Sequence, residues 1–196
     1  MNIEVLPALA LFAIVSSVTP GPNNLMLMAS GANYGFRRTI PHMLGISIGF
    51  MVLMLLTGIG LVRVFEIYPI SYVILKILSV AYLLYLAWKI ATAAPVKERT
   101  ATGKPMTFLQ AAAFQWVNPK VWAVALSATA YVATLAPVQQ AIVLATSFST
   151  INLGVGTFWA LAGSLLSYLL TNEAAWRIFM RIMALALVGF SVLLFL

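Results

Sequence analysis

Apolar runs recur along the whole chain, separated by short polar patches. They predict helices over residues 5–30, 40–62, 70–90, 106–135, 138–170 and 176–195. Each reaches the ~20 residues that a bilayer span needs. One long polar stretch, AAPVKERTATGKP from Ala93 to Pro105, divides the spans three and three. The expected fold is an all-α integral membrane protein of six transmembrane helices. Residues 1–92 form a first three-helix repeat, 93–105 a cytoplasmic linker, and 106–196 a second repeat. With an odd number of spans per half, the second half enters the membrane upside down, so the repeats are inverted.

Composition removes the soluble alternative. The chain is 63% hydrophobic and 8% charged, with mean hydropathy +1.03, whereas soluble domains carry roughly a quarter charged residues. The partner of this surface is a lipid bilayer. A net charge of +7 does not mark a nucleic-acid binder, because the basic residues lie between apolar runs, where membrane topology places them. Arg37, Arg38, Lys89, Lys97, Arg99, Lys104, Arg177 and Arg181 fall on one side of a six-span chain, with Trp88 as an interfacial anchor. Arg63 and Lys76 fall on the other. The expectation is a multi-pass protein of a bacterial inner membrane with both termini periplasmic. The first run reads as a permanent span, not a signal peptide. Cysteine is absent, so disulfides and thiolate metal sites are excluded, and no cofactor or metal is expected.

Two spans carry their own interruptions. SSVTPGPNNLM, Ser16 to Met26, breaks the first, and Asn118-Pro119 breaks the fourth. An unpaired backbone group costs several kcal/mol in hydrocarbon, so irregular backbone there has to be buried in protein or line a cavity. Pro20 and Pro22 supply no N–H and free carbonyls one turn back, near Ser16 and Val18. Gly21 caps the restart, Pro22 suits its first position, and the amides of Asn23, Asn24 and Leu25 are left open. In the fourth span Asn118 is the cap and Pro119 the first residue, leaving the amides of Lys120 and Val121. Each restart carries about half a positive charge. In straight helices both breaks fall about 20 Å deep, in the middle third of the core. The restarts and Lys120 suit a carboxylate. The freed carbonyls, with Ser16, Ser17, Thr19, Asn23, Asn24 and Gln115, suit an ammonium group. The expected ligand is a small zwitterion. Proline kinks that merely ease packing are the plainer alternative.

The strings TPGPNNLMLMASGANYGFRRTIPHMLGISIGF, AYLLYLAWKI and FQWVNPK resemble the LysE/RhtB-type amino-acid exporters over nearly the whole chain. LAWKIAT, the glutamine before the second break, and WALAG at Trp159 to Gly163 look most like the cysteine/O-acetylserine exporter branch. The resemblance implies six spans, a bacterial inner membrane and efflux of amino acids or derivatives driven by the proton-motive force. Thr19, Pro20, Gly21, Pro22 and Asn23 map onto the family's first signature, and Asn118, Pro119 and Lys120 onto its second.

The acids refine this. Glu4, Glu66, Glu98 and Glu173 all lie near loops or ends. A cationic side chain would want a buried carboxylate, so lysine and arginine are disfavoured as cargo. A carboxylate proton relay is also missing. His42 and Lys76 are candidates for coupling. His42 reads first as a residue close to the inner interface, and Lys76 can snorkel or pair with Glu66. Tyr82, with Tyr85, either closes over the ligand or simply packs. Asn152, among Ser147, Ser149, Thr150 and Thr157, either lines the cavity or binds helices together. Trp116 is preferred to Trp122 as a cavity residue. Gly45-x-x-x-Gly49 allows close helix contact, within the chain or in a homodimer. An enzyme is disfavoured, since the chain has one His, no Cys and no Asp. A scaffold, or an exporter of another small metabolite, is the remaining alternative.

Overall fold

The computed structural model describes residues 5–61, 63–93, 104–169 and 172–193. These are mostly helical, without strands: α1 (Val5–Val18), α2 (Pro22–Tyr34), α3 (Phe36–Gly58), α4 (Arg63–Ile67), α5 (Pro69–Ala91), α6 (Phe108–Phe114), α7 (Pro119–Val132), α8 (Pro137–Leu169) and α9 (Glu173–Leu193). A 3₁₀ turn, Gln115–Val117, extends α6. Glu4, Lys97, Glu98, Arg99, most of the linker and the side chain of Glu66 lie outside the described residues.

Four helices, α3, α5, α8 and α9, are long and apolar enough to cross a bilayer. The 14 residues of α1 and 13 of α2 make only about 20 Å each, but ~40 Å end to end. The 7 residues of α6, the 3 of its 3₁₀ extension and the 14 of α7 add up to a similar length, ~37 Å. Large apolar side chains face outward, among them Leu11, Ile70, Ile77, Leu165 and Leu185. Contiguous exposed apolar surface of this kind is a lipid-facing surface, not a soluble one.

The span expected over 40–62 instead starts at Phe36 and ends at Gly58. Gly35, at φ +78, takes the left-handed backbone that L side chains avoid, and the chain turns there in a single residue. Arg37 and Arg38 are therefore in the first turn of α3, not in a loop. Thr39 fastens the turn: its hydroxyl donates to the Gly35 carbonyl at 3.0 Å and lies 3.0 Å from the Ser30 hydroxyl. The short helix α4, absent from the sequence reading, follows at Arg63–Ile67.

Packing is tightest where side chains vanish. A Cβ on Gly31 would stand 2.1 Å from the Ala160 carbonyl oxygen, and one on Gly163 2.0 Å from that of Met28. These two glycines let α2 and α8 cross backbone to backbone. Gly45 and Gly49 do the same for α3 against α6, facing Phe108 and Ala112. The GxxxG pair is thus engaged in close contact within the chain. A core of Leu9, Phe50, Leu53, Trp122, Leu144 and Phe148 joins α1, α3, α7 and α8. A second core of Leu25, Leu83, Leu86, Phe114 and Leu187 joins α2, α5, α6 and α9. The two helix interruptions lie between these cores.

Candidate functional site

At the first interruption the backbone is stitched by side chains. Thr19 ends α1 with both its amide and its hydroxyl on the Val15 carbonyl, at 3.1 and 2.5 Å. Asn24, buried in the first turn of α2, reaches back with its amide nitrogen to the carbonyls of Ser17 at 2.7 Å and Thr19 at 3.1 Å. Gly21 is extended and offers no side-chain cap, Pro22 is the first helical residue, and Leu25 makes the first helical bond, to Gly21 O. The N-terminal end of α2 therefore keeps its positive pole uncapped.

The second interruption is closed differently. Asn118 is extended, and its side-chain oxygen accepts from the Lys120 amide at 3.2 Å. The amides of Val121 and Trp122 both turn onto Asn118 O. This corrects the expectation of open Lys120 and Val121 amides: the Asn118 side chain takes the first and the Asn118 carbonyl the second. The Trp122 indole donates to Trp116 O at 2.9 Å, and the Ser79 hydroxyl lies 2.5 Å from Val117 O. Charge at this break comes from the Lys120 side chain.

The breaks meet. Lys120 Nζ donates to Thr19 O at 2.6 Å, across 101 residues of chain. Its stem lies over Gly21, where a Cβ would come within 2.7 Å of Lys120 Cδ. Beside it, Asn23 and Gln115 exchange reciprocal amide bonds: Asn23 Nδ2 donates to Gln115 Oε1 at 2.8 Å, and Gln115 Nε2 to Asn23 Oδ1 at 3.2 Å. Gln115 is fully buried and also donates to Ala111 O at 2.9 Å.

A cavity of about 30 Å³ opens at this junction. Ser16, Gly21, Asn23, Asn24, Asn118, Lys120 and, from α8, Asn152 line it, with Ser17, Phe50, Val121 and Val124. No described lining residue is acidic. The ammonium of Lys120 and the amides opening α2 offer anion donors, and the Ser17 and Thr19 carbonyls and the Asn side chains offer acceptors. In this conformation Lys120 and Asn24 occupy those acceptors. At roughly 10–15 Å³ per water the cavity holds about two waters, so a ligand has to displace Lys120 from Thr19.

The remaining expected residues take supporting places. Pro20, Pro22 and Pro119 shape the backbone, Thr19 contributes its carbonyl, and Gln115 sits behind Asn23; none of them lines the cavity. Tyr82 packs on Phe114 with ring centroids 5.2 Å apart, away from it. Lys76 is half-buried on α5 and does not reach it. Trp116 is 38% exposed and is no cavity residue. Of the polar residues near Asn152, Ser147, Ser149, Thr150 and Thr157 stay outside the lining. His42 is buried, 2% exposed, and lines a different cavity. The sequence reading missed Phe50, Val124 and Ser79, and named Val121 only for its amide. Ser79 had no local signal, since a lone serine in an apolar helix usually bonds its own preceding turn.

The sequence matches the LysE type translocator family over residues 14–196. The chain belongs to this family. It is accordingly a multi-pass membrane transporter and not an enzyme. Among its relatives, proteins of Escherichia coli (strain K12) and Shigella sonnei (strain Ss046) are each 34% identical over 169 residues, covering 84% of this chain and 85% of theirs. One of Shigella flexneri serotype 5b (strain 8401) is 35% identical over 158 residues, covering 79% and 80%. All three are named cysteine/O-acetylserine efflux proteins. No solved structure matches this translocator.

Proposed function

We propose that this translocator exports small neutral amino acids and close derivatives from the bacterial cytoplasm, cysteine and O-acetylserine foremost, coupled to the proton-motive force. The observation that carries this reading is the meeting of two interrupted helices at Lys120 and Thr19 O. Membrane helices leave backbone irregular only where protein or a cavity uses it, and transporters place their sites at such breaks. The α-carboxylate takes the Lys120 ammonium and the open end of α2. The α-ammonium takes the carbonyls and Asn oxygens that Lys120 and Asn24 vacate. Six spans in two inverted three-helix repeats, α1–α5 and α6–α9, rock about this site in alternating access. Both termini are periplasmic in this reading, because Tyr34, Lys89 and Lys104 gather around one cavity and Arg38 stacks over Tyr34 at 5.9 Å, making one end basic.

The names of the relatives support the substrate class, and so does the absence of acids from the cavity lining. Counterflow in proteoliposomes tests both. Internal cysteine or O-acetylserine is expected to drive saturable uptake of the same labelled compound, with lysine and arginine inactive and an imposed pH gradient accelerating net flux. Lysine exchanging as fast as cysteine would refute the substrate assignment, and failure of every amino acid to exchange would refute export.

A further inference from the structure

A second cavity, of about 80 Å³, lies at the basic end between α2, α3, α5 and the strand of chain leading into α6. His42 lines it and is 2% exposed, yet neither of its ring nitrogens has a hydrogen-bond partner. Buried polar atoms are normally satisfied, so an unpartnered pair calls for a ligand or a role. Ser30 and Asn33 line the same space from α2, with the exposed residues Lys89 and Lys104, and no described lining residue is acidic. Asn33 Nδ2 is engaged with Ala29 O and Met180 Sδ and the Ser30 hydroxyl with Thr39, so the imidazole N–H of His42 and the two ammonium groups are the donors that make this cavity an anion receptor. At 10–15 Å³ per water the volume matches roughly six waters, the size of a cysteine's heavy-atom frame, whereas the central cavity holds about two.

The two cavities share helices. Asn23 at the first and Ser30 and Asn33 at the second follow helical spacing along one side of α2, with Asn23 and Ser30 about 10 Å apart. On α3, His42 lies two turns before Gly49, where a Cβ would meet Gln115 at 3.0 Å. The reciprocal Asn23–Gln115 amide pair therefore lies between the cavities on both helices.

We propose that the His42 cavity is a second binding site, which captures the carboxylate of a small amino acid on the basic side before it passes the Asn23–Gln115 pair to Lys120. This rests on the export reading, and its test separates the two. The full chain in nanodiscs of uncharged lipid is titrated with labelled cysteine under reductant. Two sites per chain are expected. His42→Leu removes one, and Lys89→Gln with Lys104→Gln, at exposed positions that cannot unfold the bundle, weakens the same one about tenfold. Lys120→Ala removes the other. Cysteamine, which lacks the carboxylate, competes at neither. A single site lost in Lys120→Ala and untouched by the other variants would overturn the second site and leave export standing. A single site lost only in the His42 and paired lysine variants would sustain the second site and overturn the central one. No binding of cysteine or O-acetylserine would overturn both.

Discussion

Lys120→Ala is expected to weaken cysteine binding at the central cavity about a hundredfold while the protein still inserts and folds. The hydrogen bond from Lys120 Nζ to Thr19 O can be lost cheaply, because Asn24 already donates to the same carbonyl. The ligand's carboxylate has no such substitute. Asn118 has consumed the Lys120 amide, so the second break offers charge through one side chain alone. Hydrogen bonds between charged groups contribute roughly 1.5–3 kcal/mol, up to about a hundredfold in affinity. Equilibrium binding to the purified variant reads the loss directly. Unchanged affinity would remove Lys120 from the site.

Gly163→Ala is expected to cost about 3 kcal/mol or more, in the upper range for overpacking. The new Cβ would stand 2.0 Å from the Met28 carbonyl oxygen. That obstacle is backbone, not the far end of a flexible side chain, so α2 and α8 have to separate. Separation also breaks the reciprocal contact at Gly31 and Ala160 and shifts α2, which carries Asn23 and Asn24. Gly154→Ala on the same helix meets nothing within 4 Å and should be nearly neutral. Thermal inactivation of the solubilised proteins compares them. Equal survival of Gly163→Ala and wild type would contradict the close crossing.

The breaks were legible because their causes are local. Proline lacks an N–H wherever it stands, and Asn118 before Pro119 caps from its own position. Asn152 was legible as a polar residue in an apolar run. What joins the breaks was not, since the Lys120 bond to Thr19 and the Asn23–Gln115 pair span 101 and 92 residues. No periodicity encodes such pairings. The amides of Lys120 and Val121 were misjudged because a good cap is also a competitor for the donors it satisfies. The start of α3 was misplaced because Arg37 and Arg38 read as loop residues, whereas Gly35 turns the chain in one step. The burial of His42 was not legible, because it depends on what packs around it. Here α2, α5 and the approach to α6 enclose it.

The chain has no cysteine, which permits a direct test of where the ligand sits. Ser16 lines the central cavity, and Ser16→Cys places one thiol there, with Tyr168→Cys, 75% exposed, as the outside control. Maleimide labelling is followed with and without O-acetylserine at ten times its dissociation constant. The Ser16→Cys thiol should label about tenfold more slowly with ligand present, and the Tyr168→Cys thiol at an unchanged rate. Equal labelling of the Ser16→Cys thiol with and without saturating ligand would contradict binding where the interrupted helices meet.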